Sequence, residues 1–260
     1  MRTDEIRSSL HFDEASPKYA SLYERRDAPA HSFRARQSKT HALLGDGPLG
    51  KLLDVGGGPA VYFDRLKKQV ESYDLVDISP GMIEMAQKID SGNVPLRCHL
   101  GSVYCLPFPP DSFDTVLAAG LLEYLDDPWR GLEELARVAR SGARIVVSFP
   151  NARGVGRRVS KIVYRLFGRS NPFGREFTAA EVAEAAARIG VDWIASNSYN
   201  AQLIPWPLTW RMPAVAYVTA ELFEPLLTWS GRLWGSGFNV QFRKAATACT
   251  SFPQVHFAVN

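Results

Sequence analysis

Lys51-Leu52-Leu53-Asp54-Val55-Gly56-Gly57-Gly58-Pro59-Ala60-Val61-Tyr62-Phe63 reads as an apolar strand that runs into a glycine turn and then a helix. Leu52, Leu53 and Val55 form the short continuous apolar run of a strand buried on both faces of a parallel sheet. At Gly56 and Gly58 the backbone is free to take positive φ and a ligand is free to approach it, while Pro59 suits the first turn of a following helix. A nucleotide-like ligand at the carboxyl end of the strand is the functional reading, and simple packing is the plain one. The next segment favours the ligand. Glu71-Ser72-Tyr73-Asp74-Leu75-Val76-Asp77-Ile78-Ser79-Pro80 is a second strand ending in an acid, about twenty residues past the glycines, where a carboxylate accepts hydrogen bonds from ribose hydroxyls. Asp77 is the best ribose ligand; its plainer role is that of an acid favoured by the dipole of the helix that Ser79-Pro80-Gly81 opens.

A chain of 260 residues that is 46% hydrophobic and 22% charged is able to bury the core of one large α/β domain, or of one domain plus a cap. A formal net charge of +3 is too small to imply a nucleic-acid partner. Cys98, Cys105 and Cys249 are odd in number and have no metal-ligand or redox spacing, so we expect reduced thiols, no metal site and a cytoplasmic location. The first residues, Met1 to Arg7, are charged and lead into no signal-like apolar stretch, and no apolar run is long enough to span a bilayer.

Along the chain, the polar stretch 17–44 reads as one or two helices, which Gly45-Asp46-Gly47-Pro48 breaks. Strand 52–55, helix 60–68, strand 72–76, helix 80–89 and strand 95–100 then complete a βαβαβ half. After a proline-punctuated loop come strand 113–119, helix 128–140 capped by Ser141-Gly142, and strand 144–150. Arg153, Arg157, Lys161 and Arg165 recur every fourth residue of a cationic amphipathic helix, 153–167, which is either a solvated face or a docking surface for anionic lipid or an acidic carrier. Thr178 and Glu181 have capping-box spacing ahead of helix 179–189. Strand 191–196 follows, and 237–243 is the last strand. Between them, 202–235 carries Trp206, Trp210, Trp229 and Trp234, an aromatic insert that reads as ordinary packing or as the apolar wall of a cleft.

Leu53-Asp54-Val55-Gly56-Gly57-Gly58, then Val76-Asp77-Ile78-Ser79, then Leu106-Pro107-Phe108 with Asp111-Ser112-Phe113-Asp114, and finally Leu135-Ala136-Arg137-Val138 before Gly142, stand in one order and spacing. Over 52–150 they resemble the class I S-adenosylmethionine-dependent methyltransferases of small-molecule type, similar to the ubiquinone and menaquinone methyltransferase group. The resemblance implies a Rossmann-like α/β fold, a seven-stranded sheet with helices on both faces and a helical cap before the last strand. It divides the chain into a helical segment over the cofactor site (1–50), a core (51–200 and 236–260) and an aromatic cap (201–235). It implies S-adenosylmethionine as cofactor, with Asp54 and the Gly56, Gly57, Gly58 loop at the methionine moiety, Asp77 on the ribose and Ile78 on adenine. Ser102 and Val103 belong at the adenine edge, Ala119 and Gly120 at the sulfonium side, and Tyr19 over the cofactor. Two positions depart from the family pattern: Ala60 replaces its third glycine, and Ser102 replaces an aspartate that many members aim at the adenine amino group.

A dinucleotide-dependent dehydrogenase shares the glycines and the acid but needs a second βαβαβ half, which the order of segments after Phe149 does not supply. Transfer of an activated methyl group asks the protein chiefly to align the acceptor, exclude water and take a proton. His11, Tyr19, Glu123 and His256 are the candidates for that last task, and Trp206, Trp210 and Tyr124 for the acceptor wall. The expected function is O-methylation of an apolar aromatic or polyketide-like small molecule, by a monomer or homodimer, with oxygen preferred over carbon on family frequency alone. The alternatives are a lipid or quinone headgroup methyltransferase at a membrane surface and a non-catalytic cofactor-binding regulator.

Overall fold

The computed structural model describes residues 2–23, 25, 27–168, 174–200, 212–229 and 235–245. Seven strands, β1 (Gly50–Val55), β2 (Val70–Asp77), β3 (Leu96–Leu100), β4 (Phe113–Ala119), β5 (Ala139–Pro150), β6 (Val191–Tyr199) and β7 (Gly237–Lys244), lie in one sheet in the order β3-β2-β1-β4-β5-β7-β6. The first five are parallel, and β7 runs antiparallel between β5 and β6. The order reverses between β1 and β4, and the crevice beyond the carboxyl ends of strands at such a reversal is where open α/β sheets bind ligands.

The helices are α1 (Thr3–Tyr19), α2 (Ala28–Leu44), α3 (Phe63–Leu66), α4 (Pro80–Gln87), α5 (Pro128–Val138), α6 (Val155–Leu166), α7 (Ala179–Arg188) and α8 (Pro213–Trp229). Alternation along the strands divides the core into two layers. Leu53, Val116, Ile145 and Val147 face a layer completed by Leu132 and Leu135 of α5 and Val182 of α7. Leu52, Leu117 and Val146 face the other, with Phe63, Leu66, Tyr73 and Ile83. Both faces are covered, as the continuous apolar runs require. The Thr178 and Glu181 capping box forms and opens α7.

Three of the departures from the sequence reading have a physical reason that the structure shows. Helix α1 starts at Thr3, far ahead of residue 17, because it docks through buried Asp4, Glu5 and Ser16 and carries no apolar stripe for periodicity to find. The helix read over 60–68 shrinks to one turn at Phe63–Leu66, since Ala60 at φ 55° holds the chain in a left-handed turn. Helix α5 stops at Val138, and Ala139 is already paired in β5. The aromatic insert is represented by α8, which packs on α2 and β6. His31 of α2 reaches Glu221 (3.2 Å) and Glu224 (3.6 Å) of α8.

Of the four cations Arg153, Arg157, Lys161 and Arg165, the first of which precedes α6, two engage one carboxylate: Arg157 Nη1 lies 3.2 Å from Glu176 and Lys161 pairs with the same side chain, which is buried. Arg153 and Arg165 are exposed. The outer side of α6 also carries Ile162, Leu166 and, just past its end, Phe167, at 60%, 78% and 64% exposure. No helix among the described residues is long and apolar enough to cross a membrane.

Candidate functional site

The glycine loop after β1 is held by the acid at the end of β2. Gly56 (φ 68°) donates its N–H to the Val76 carbonyl at 2.8 Å, and Gly58 (φ 54°) donates to Asp77 Oδ2 at 2.9 Å. Ser79 N–H donates to Asp77 Oδ1, also at 2.9 Å. Each carboxylate oxygen keeps a further lone pair for a ligand hydroxyl. Burial pushes the Asp77 carboxyl up, opposed by the backbone donors of Ser79 and Gly58. Beneath the loop, burial raises Asp54 to about 7 while the Tyr73 hydroxyl, donating at 2.6 Å, opposes it. A side-chain carbon on Gly57 would lie 2.6 Å from that same carboxylate, so Asp54 and Gly57 shape the loop from below.

Above the loop opens a narrow cleft. Its floor is Gly56, Gly58, Asp77, Ile78, Val103 and Gly120, and its roof is α1 with Glu5, Phe12 and Tyr19. Acids fasten that roof at both ends. Asp4 Oδ2 accepts from the Tyr104 hydroxyl at 2.7 Å and from Asp126 N–H at 2.9 Å, and these bonds outweigh the upward push of burial to leave its pKa lowered. Asp13 Oδ1 accepts from Gly81 N–H at 2.8 Å and from the Ser79 hydroxyl at 2.5 Å, capping the start of α4.

The structure therefore gathers Tyr19, Gly56, Gly58, Asp77, Ile78, Val103, Gly120 and Tyr124 around one cleft. Ser102 is turned to Glu5, and Ala119 packs into the core layer of β1. His11 and Glu123 border a wider recess beside the cleft, together with Arg7 and Arg175. Trp206, Trp210 and His256 lie outside the described residues.

Sequence reasoning missed Asp4, Glu5 and Phe12 of the roof, and Arg36. The guanidinium of Arg36 abuts Gly120, with Nη2 at 3.3 Å from the Tyr23 hydroxyl and Cζ at 5.3 Å from the Phe33 ring centre. Edge-on aromatic contacts link Phe12 to Tyr124 (5.1 Å) and to Tyr19 (6.1 Å), and Tyr19 to Phe33 (5.9 Å), so the cation sits in an aromatic wall. Burial raises the Glu123 carboxyl, and Arg36 draws it back. Burial also pushes the Tyr124 hydroxyl to about 12.

Residues 53–147 match the family described as "Methyltransferase domain". An uncharacterized methyltransferase of Mycobacterium tuberculosis is 32% identical over 136 residues, 49% of this chain and 53% of that protein. A demethylmenaquinone methyltransferase of Mycobacterium sp. (strain JLS) is 38% identical over 109 residues, 42% of this chain and 45% of that one. The rice 2-methyl-6-phytyl-1,4-hydroquinone methyltransferase 1 is 39% identical over 95 residues, 35% and 28% of the two chains. The chain thus spans about half the length, or less, of the curated relatives it matches. Magnesium protoporphyrin IX methyltransferase from Synechocystis, solved with bound S-adenosylhomocysteine, superposes with a TM-score of 0.65 at 13% identity over 93% of this chain and 100% of that one. The [4+2]-cyclase SpnF superposes with a TM-score of 0.62 at 16% identity, covering 94% and 98%. At such identities the likeness is one of fold, and the cyclase illustrates that this fold does not dictate one reaction.

Proposed function

We propose that this chain, whose residues 53–147 match the family described as "Methyltransferase domain", is a class I S-adenosylmethionine-dependent methyltransferase that methylates an apolar aromatic or polyketide-like small molecule at oxygen. The observation that carries the reading is Asp77: its carboxylate is buried at the carboxyl end of β2, next to the strand that borders the switch point, ties down the positive-φ glycine loop and lines the cleft. The residues fit S-adenosylmethionine. Asp77 suits the ribose diol, Ile78 and Val103 the adenine faces, and the bare backbone of Gly56 and Gly58 the methionine end.

When bound, the cofactor supplies an activated methyl group on a sulfonium. The protein's task is alignment and exclusion of water. Helix α1 roofs the cleft, and the ring edges of Phe12, Tyr19 and Tyr124 present an apolar wall to the acceptor. The test is incubation with methyl-labelled S-adenosylmethionine and the small-molecule, lipid and macromolecular fractions of a cell extract. Label in one discrete small-molecule product supports the reading, label in macromolecules overturns it, and cofactor binding with no transfer to any fraction favours a non-catalytic regulator.

A second reading, a quinone or lipid headgroup as acceptor at a membrane surface, is favoured by α6. Ile162, Leu166 and Phe167 are exposed beside exposed Arg158 and Arg165, an apolar stripe rimmed by cations. Sedimentation with anionic vesicles at low salt separates the two, because only the membrane version binds.

A further inference from the structure

The recess beside the cleft holds about 610 Å³, enough for a small molecule, whereas the cleft itself is narrow. The two cavities share Ser8, Tyr124 and Leu125 as lining, so they meet at one wall. A molecule held in the recess therefore lies next to whatever fills the cleft. Room for an acceptor is on the recess side of that wall.

The charges of the recess narrow its ligand. Two guanidiniums line it, Arg7 from α1 and Arg175 from the segment ahead of α7, and both are gathered at Asp126. Arg7 Nη2 lies 3.6 Å from Asp126 Oδ1, longer than a hydrogen bond. Arg175 Nη1 donates to the Asp126 carbonyl and the Arg175 N–H to the Glu123 carbonyl, both at 3.2 Å, which ties the second cation to the same loop. Of the two carboxylates in the lining, Glu123 is drawn on by Arg36 and Arg157, which line neither cavity, and its Oε2 is closed to solvent. That leaves Asp126 to face two guanidiniums, and the recess carries an excess of positive charge. A guanidinium presents paired donors that match a carboxylate, while an acceptor with an ammonium group is repelled. Tyr124, 38% exposed, offers its ring to an aromatic body.

Resting on the methyltransferase reading, we infer that the recess is the acceptor site and that the acceptor is an aromatic acid, its carboxylate held by Arg7 and Arg175, its ring against Tyr124 and its methyl-accepting oxygen toward the shared wall. The carboxylate anchor decides which end of the acceptor is turned to the cofactor, and so orients the reacting oxygen without activating it. Both cations are exposed, Arg7 by 70%, so each contributes modestly and salt weakens the pair.

The experiment uses the full chain saturated with S-adenosylhomocysteine, whose binding is first measured by calorimetry. Absence of that binding would sink the cofactor reading itself, a failure distinct from that of the recess assignment. The probes are 4-hydroxybenzoate and its neutral counterpart 4-hydroxybenzamide. The acid is expected to bind about tenfold more tightly than the amide, a preference that fades as salt is raised. Arg7→Met and Arg175→Met are each expected to weaken binding of the acid about threefold and to leave the amide unchanged, and Arg175→Lys to keep most of the acid's affinity. Asp126→Asn, which removes the competing carboxylate and keeps the backbone groups of the loop, is expected to tighten binding of the acid. Opposite effects on one probe at constant cofactor affinity are not produced by a general loss of structure. Overhauser effects between the ring protons of the bound acid and S-adenosylhomocysteine are expected across the shared wall. Four outcomes overturn the inference: no binding of the acid to the native chain, binding of the amide as tight or tighter, acid affinity unmoved in both arginine variants, or no Overhauser effect between the two bound molecules.

Discussion

The carboxylate of Glu5, on the first helix, accepts the hydroxyl of Ser102 at the wall of the cleft. Ser102 is the position at which the family resemblance calls for an aspartate, so an acid stands there after all, brought from 97 residues away. Glu5 is 8% exposed and lines the cleft. Replacing Glu5 with alanine should weaken S-adenosylhomocysteine binding by about tenfold, the worth of a hydrogen bond to a charged group. Ser102→Asp alone should also weaken it, by setting two carboxylates against each other. The double variant should recover most of the loss, and calorimetry of the four proteins gives the coupling directly.

Asp77 combines two roles in one carboxylate. It holds Gly58 and Ser79 by their N–H groups and keeps lone pairs for the ligand. Asp77→Ala should therefore lower cofactor affinity by about 1.5 to 3 kcal/mol and lower stability as well, since two buried N–H groups lose their acceptor. Unchanged affinity in a variant of reduced stability would leave Asp77 as a loop brace only.

Ala60 is buried and sits at φ 55°. Were it the first residue of a helix, Ala60→Gly would cost about 1 kcal/mol. In the left-handed turn, relief of about 1 kcal/mol of strain offsets the lost methyl contacts, and the expected change is within about 0.5 kcal/mol of zero. Ala60→Val should be destabilising by about 2 kcal/mol, because a branched side chain is still less tolerant of positive φ. Denaturant midpoints of the two variants check this.

The strands are legible because buried parallel strands are written as continuous apolar runs, and β4 can be read to its last residue. The parts that the sequence conceals are those built from polar contacts at long range. Helix α1 docks by Asp4 and Asp13, each finding backbone donors far along the chain, and no local pattern announces such a partner. Arg36 is one basic residue in a polar helix, and only the fold brings it against Gly120. Likewise, Arg157 and Lys161 look like part of a solvated stripe until Glu176 is placed beneath them. The resemblance puts Asp54 at the ligand, and nothing in the local sequence announces that it accepts the buried hydroxyl of Tyr73.

His31 gives the packing of α8 a pH dependence. Its side chain is 5% exposed, and burial alone would lower its pKa, but the carboxylates of Glu224 and Glu221 raise it above 6.5. A group whose pKa is raised on folding contributes stability that is fully present below the unfolded value, about 6.5, and is lost as pH rises through the folded one. The native chain should accordingly exceed His31→Gln in melting temperature most below about pH 6.5, with the gap closing as pH rises through the raised folded value. Comparing the two proteins at each pH cancels the other titrating groups. Protection factors of α8 amides, with the intrinsic pH dependence of exchange divided out, should be higher at the lower pH in the native chain and stay flat in the variant, whereas a gap that widens with pH would mean that His31 is buried neutral and the carboxylates do not hold its proton.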